Sequence, residues 1–187
     1  MGVGRDHLHA VYADAIDPWN FRHSAYEQAK FAATRRALSR PRYNHAFELG
    51  CGNGELARHL APICDNYTGM DAVGAALGAA RAAVPKAVFT PGYYPCPLPQ
   101  GDFDLLILSE ILYFLDRDSL RRLACDIETR WPRAEVVCVN WLGDTAHELQ
   151  GNEALAEFRT ALESHHFKPV AQTGGYRIDR GLPKSQS

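Results

Sequence analysis

From residue 45 onward, short apolar runs alternate with stretches in which apolar residues recur every three or four positions. The clearest run is 103–109, where Leu105, Leu106, Ile107 and Leu108 follow one another with no polar alternation. Such a run predicts a strand covered by helices on both faces of its sheet. Residues 45–50, 66–70, 87–90 and 134–141 read as further buried strands. Helical periodicity falls between them, over 55–63, 72–83, 119–130 and 152–165; Leu120, Leu123, Ala124 and Ile127 mark one face. Segments 168–172 and 175–178 flank Thr173-Gly174 and predict a closing hairpin. Ahead of these, Ser24 and Glu27 have capping-box spacing, which opens a helix over 25–38 that Arg40-Pro41 ends. Strands alternating with helices make a mostly parallel, doubly wound α/β sheet, with antiparallel character at one edge.

Length and composition narrow the class. The 187 residues, 46% of them hydrophobic, suit one globular domain. Residues 1–16 read as a flexible arm, 17–40 as an N-terminal cap segment, 41–180 as the α/β core and 181–187 as a disordered tail. A net charge of −2 gives no electrostatic case for nucleic acid or an anionic membrane. Five cysteines, none in a C-x-x-C pair, suggest neither a disulfide framework nor a zinc site. No early apolar stretch resembles a signal peptide, and none reaches the length of a membrane span, so a cytoplasmic protein is expected. His165-His166 reads as a helix end rather than a metal ligand pair, and Arg121-Arg122 as a solvated helix face.

Candidate chemistry concentrates at Glu48-Leu49-Gly50-Cys51-Gly52-Asn53-Gly54, where a strand gives way to a helix. Glycines there let a ligand lie against the main chain, in the cleft at the carboxyl ends of the strands. The spacing is G-x-G-x-G, unlike the G-x-G-x-x-G of a dinucleotide turn, and no G-K-[S/T] P-loop is present. Glu48 lies two positions before the first glycine. A carboxylate there repels a pyrophosphate and suits a cationic ligand such as the methionine end of S-adenosylmethionine (SAM). Asp71, about twenty residues past the turn, stands where an acid accepts ribose hydroxyls. The blander reading is a tight turn followed by a helix-capping aspartate.

An acidic residue followed by G-x-G-x-G resembles the first motif of the class I SAM-dependent methyltransferases. The resemblance covers roughly 42–141. It implies a Rossmann-like, seven-stranded sheet whose last strand is antiparallel. It also implies that Glu48, Gly50, Cys51, Gly52 and Gly54 line the methionine part, with Asp71 and Ala72 at the ribose and adenine edge. Many members carry an aspartate after the glycine that ends the third strand. Here Gly92 is followed by Tyr93 and Tyr94, and a tyrosine ring could stack on or cover the base instead.

Two segments narrow the resemblance to the nodulation protein S (NodS) group: Asp17-Pro18-Trp19 with the helix through Tyr26 and Lys30, and Ser109 to Leu115. That group methylates the amine of a partly deacetylated chitin oligosaccharide. By that likeness Trp19, Tyr26, Lys30 and Ser109 approach the cofactor from a lid-like helix and the fourth strand, while Glu110 and Tyr113 face the acceptor as catalytic residues. An amine acceptor must lose a proton, which Glu110 could take or orient, with Tyr113 as a hydrogen-bond partner. Glu110 could equally cap a turn or pair with an arginine, and Tyr113 and Phe114 could be core aromatics. The expected function is therefore SAM-dependent methylation of a small polar acceptor, an amino sugar or deacetylated oligosaccharide leading, with no metal. The rivals are a non-catalytic SAM-fold binding module, an O-methyltransferase on another small molecule and, disfavoured by the glycine spacing, an NAD(P)-dependent oxidoreductase.

Overall fold

The computed structural model describes Asp17 and residues 20–185. The expected arm over 1–16 and Trp19 lie outside those residues. In chain order the elements are α1 (Ala25–Ala37), β1 (Tyr43–Leu49), α2 (Glu55–Leu60), β2 (Cys64–Asp71), α3 (Gly74–Ala83), β3 (Val88–Pro91), β4 (Leu105–Ser109), α4 (Arg117–Arg130), β5 (Glu135–Trp141), α5 (Gly151–Ala161), β6 (His165–Gln172) and β7 (Tyr176–Pro183). Single 3-10 turns follow α2 at Ala61–Ile63 and β4 at Leu112–Phe114.

The strands form one seven-stranded sheet in the order β3-β2-β1-β4-β5-β7-β6. β1 to β5 run parallel to one another, and β7 inserts antiparallel between β5 and β6. This is the Rossmann-like arrangement the resemblance implied. Alternate residues of the central strands feed two cores. Phe31, Leu56, Leu60 and Leu77 of α1, α2 and α3 pack on Leu105, Ile107, Val137 and Val139. Leu123, Ile127, Leu155 and Phe158 of α4 and α5 pack on Leu106, Leu108, Val136 and Cys138 of the opposite face. The polar-free run of β4 is thus buried on both sides, as its sequence required.

Three local readings change. Ser24 accepts the Glu27 amide hydrogen as expected, at 3.3 Å, but the Glu27 carboxylate turns away from the cap to meet Lys30 at 2.9 Å. The expected helix over 152–165 ends at Ala161, and His165 opens β6. His165 is buried there, its ring bonded to the Ala134 carbonyl and the Ser164 hydroxyl, and burial lowers its pKa. The expected tail from 181 starts too early, since β7 continues through Pro183 against β6. Arg121 is a solvated surface side chain as read, paired with Asp118 at 3.0 Å. Among the described residues no helix is long and apolar enough to cross a membrane.

The link from α1 to β1 is fixed by a buried carboxylate at the amino end of the sheet. Glu135 accepts hydrogen bonds from the Ser39 amide at 2.9 Å, the Ser39 hydroxyl and the Tyr43 hydroxyl at 2.7 Å. Burial, then Glu135, pushes the Tyr43 phenol up to about 12, so it stays a donor. Glu135→Ala should cost about 2–3 kcal/mol, because a buried phenol loses its charged acceptor. The check is the urea midpoint, with an unchanged slope.

Candidate active site

Strand order reverses between β1 and β4, and a ligand crevice is expected outside the carboxyl ends of strands at such a point. A cavity of about 600 Å³ opens there. Its floor is the turn after β1, where Gly50, Gly52 and Gly54 all adopt left-handed φ values of 76°, 50° and 78°. The amides of Gly50 and Cys51 both donate to the Met70 carbonyl, at 2.8 and 3.1 Å, which ties the turn to the end of β2. At Gly54 a Cβ would stand 2.8 Å from the Ala80 Cα, so the glycine lets α2 start directly against α3.

Two carboxylates flank this turn. Glu48 is 2% exposed and accepts one hydrogen bond, from the Tyr67 hydroxyl at 2.7 Å. Burial pushes its pKa up to about 8, only partly countered by Tyr67 and reinforced by Asp71. A buried carboxylate in that state gains most from a cationic partner. Asp71 is a bracket: Oδ2 accepts from the Gly52 amide at 2.8 Å and Oδ1 from the Val73 amide at 2.9 Å. Burial raises its pKa against the pull of those amides. The Val73 bond also explains why α3 begins at Gly74 rather than at Ala72.

The far end of the cavity is built on Glu110. Its φ of 55° is left-handed, a conformation uncommon for a residue with a side chain. The strain aims the carboxylate back across the cleft. Oε1 receives the Lys30 ammonium at 2.9 Å; Oε2 receives the Tyr113 hydroxyl at 2.7 Å and the Trp141 amide at 3.0 Å. Glu110 therefore joins α1, β4 and β5, and its partner is a lysine, neither an arginine nor a helix cap. Burial would lower the pKa of Lys30, but Glu110 and Glu27 outweigh it and hold the ammonium above its ordinary range. Burial and the neighbouring Glu110 push the Tyr113 phenol well above its ordinary value.

The cavity gathers most of the residues singled out from sequence. Glu48, Gly50, Cys51, Gly52, Asp71 and Ala72 line one part of it. Gly92, Tyr93, Ser109, Lys30, Glu110 and Tyr113 line the rest. At Gly92 an added Cβ would meet the Met70 side chain, which would have to shift to admit it. Gly54 supports the floor from behind, and Tyr26 lies off the cavity, its ring edge-on to Trp141 and Tyr176 at 6.4 and 5.9 Å. Phe114, weighed only as a core aromatic, lines the cavity, as do Phe21, Phe31, Trp141 and the stretch 144–147, which the sequence did not single out. Trp141 ends β5 at the carboxyl edge of the sheet, a position that could have marked it. Among the described residues, six carboxylates and one lysine line the space. Such a wall favours a ligand carrying positive charge and disfavours a pyrophosphate.

Residues 4–129 match the nodulation protein S (NodS) family. Nodulation protein S of Sinorhizobium fredii (strain NGR234) is 31% identical over 114 residues, 58% of this chain and 52% of that protein. The Bradyrhizobium diazoefficiens protein of the same name is 31% identical over 104 residues, 53% of this chain and 49% of its own. The chain thus spans about half the length of the curated relatives it matches. Among solved structures, the N-methyltransferase NodS of Bradyrhizobium japonicum WM9, in complex with S-adenosylhomocysteine (SAH), superposes with a TM-score of 0.80. That match is 18% identical and covers 97% of this chain and 99% of the other. A Pseudomonas syringae protein assigned as a methyltransferase superposes at 0.72 with 30% identity, covering 85% of this chain and 99% of its own.

Proposed function

The chain belongs to the nodulation protein S family, and from that premise we propose that it is a cytoplasmic SAM-dependent methyltransferase that methylates an amine on a small polar acceptor, with an amino sugar or deacetylated oligosaccharide as the leading class. The observation that carries this reading is the buried, singly bonded Glu48 beside a turn of three left-handed glycines, in a cavity rich in carboxylates. Glu48 is placed for the methionine ammonium of the donor, and the Gly50–Gly54 main chain for the backbone-close approach of the rest of that moiety. Asp71 keeps its outward lone pairs for ribose hydroxyls while it brackets the turn. Tyr93 is available to stack on the adenine.

Methyl transfer from a sulfonium is an in-line displacement, and alignment of donor and acceptor supplies on the order of 7–11 kcal/mol of barrier lowering. Glu110 and Tyr113, held rigid by Lys30 and the Trp141 amide, orient the acceptor at the other end. An amine suits this end, because its methylated product is a cation among carboxylates and aromatic faces. The rival O-methyltransferase would create no such cation.

Calorimetry tests the cofactor assignment: SAH should bind and NADH should not, and NADH binding alone would overturn it. A mass-shift screen of amino sugars and chitin oligosaccharides with SAM then identifies the acceptor; a chain that binds SAH and never transfers a methyl would be a binding module. Asp71→Ala should weaken SAH binding by about 1.5–3 kcal/mol, from the lost charge-assisted bonds and the loosened Gly52 amide. Unchanged SAH affinity in that variant would remove Asp71 from the ribose.

A further inference from the structure

Among the described residues, the two carboxylates that face Lys30 at the acceptor end of the cavity are already engaged. Glu110 has both oxygens engaged, by Lys30 on one side and by Tyr113 and the Trp141 amide on the other. Glu27 faces the same lysine at 2.9 Å. Tyr113 donates its proton to Glu110, and burial keeps it a donor. The loop between β5 and α5 supplies another group. His147 lines the cavity with its ring stacked on Tyr113, centroids 6.0 Å apart and planes 23° apart, and tilted against Phe114 at 4.7 Å.

That ring is aimed by a fixed loop. The Ala146 amide donates to Asp144 Oδ1 at 2.9 Å, with Ala146 held at a left-handed φ of 55°. Thr145 Oγ1 receives the His147 amide at 3.3 Å and donates to the Leu149 carbonyl at 3.0 Å. The Thr145 amide is bonded to Gln150 Oε1, and Gln150 also closes the capping box of α5. Imidazole is the side chain whose unperturbed titration lies closest to neutral pH, and the ring is part-exposed, so a proton it takes can pass to solvent.

We propose that His147 is a catalytic residue that accepts the proton of the acceptor ammonium, while Glu110 positions that same nitrogen. This rests on the methyltransferase reading above. In the step, the acceptor N–H bond breaks and its proton goes to an imidazole nitrogen. The freed lone pair then attacks the sulfonium methyl. A C–N bond forms as the C–S bond breaks, and sulfur keeps the electron pair. The products are SAH, a methylammonium group and an imidazolium that releases its proton to water.

Two measurements on the full chain decide the matter. In the SAH complex, the imidazole Cε1–H resonance that is missing from His147→Gln should shift when methylammonium chloride is titrated in. A resonance that stays put overturns the proposal whatever the true acceptor is. With SAM and D-glucosamine, His147→Gln should lower kcat by about 100-fold or more, typical of a lost general base, while leaving the SAH Kd within about twofold. Partial rescue of His147→Ala by added imidazole is expected. Full turnover by His147→Gln overturns the proposal. A wild-type chain that does not bind SAH sinks the methyltransferase reading and this one together. Binding of SAH without methylation of glucosamine sinks only that acceptor, and the resonance then decides for His147.

Discussion

SAH affinity is expected to tighten about tenfold for each pH unit climbed toward pH 8 and then level off, and Glu48→Gln is expected to erase that slope. In the unliganded protein Glu48 is buried, has one hydrogen-bond donor and titrates near 8. Near pH 7 it is therefore mostly neutral, and a ligand ammonium binds the ionised form. Each unit below 8 costs about 1.4 kcal/mol of ionisation energy, which is the tenfold step. Binding at pH 7 should release close to one proton, readable by calorimetry in buffers of contrasting ionisation enthalpy. Above pH 8 the glutamine variant should bind more weakly by about 2–5 kcal/mol, the usual cost of leaving a buried charge without its partner. Proton-neutral binding at pH 7 would show that Glu48 does not meet the ammonium. Folding stability should carry the opposite dependence. The folded pKa lies above the unfolded one, so this contribution is fully present below the ordinary carboxylate range and is lost as pH rises toward 8.

Gly54→Ala should lose far more stability than one added methyl group ordinarily costs. The position is left-handed, which costs a residue with a Cβ about 1–2 kcal/mol. The added carbon would also sit 2.8 Å from the Ala80 Cα, and a backbone atom cannot rotate away. Overpacking of that kind adds about 1–3 kcal/mol. The total is a large share of the 5–15 kcal/mol typical of a domain. SAH binding should weaken as well, because the turn and the start of α2 shift together. Gly78→Ala is the matched control: it lies within α3 with nothing inside 4 Å of its Cβ, and should stabilise by about 0.5–1 kcal/mol. Equal urea midpoints for the two variants would refute the close-approach argument.

Much of the architecture was readable from the chain because both of its signals are local. An apolar run such as Leu105–Leu108 can satisfy itself only between two helical layers, and G-x-G-x-G between strand and helix admits few backbone paths. The misreadings occur where longer-range contacts decided. His165 and Phe167 alternate inward with His166 and Lys168 outward, a strand pattern masked by the helical stretch before it. Glu27 had the spacing to complete a cap, and Lys30, drawn inward by Glu110 eighty residues away, took it instead. The 144–147 loop has no periodicity to read. It joins the site only by folding back on Tyr113 and Phe114.

The contact among Glu27, Lys30 and Glu110 constrains how this chain can diverge. Loss of the acid at 110 would leave the lysine, 3% exposed, with one of its two acidic partners. Loss of the lysine would set two acids facing each other across the cleft. Neither single step is cheap, so among descendants the basic character of position 30 and the acidic character of position 110 should be kept or abandoned as a pair, however freely the surface around them changes.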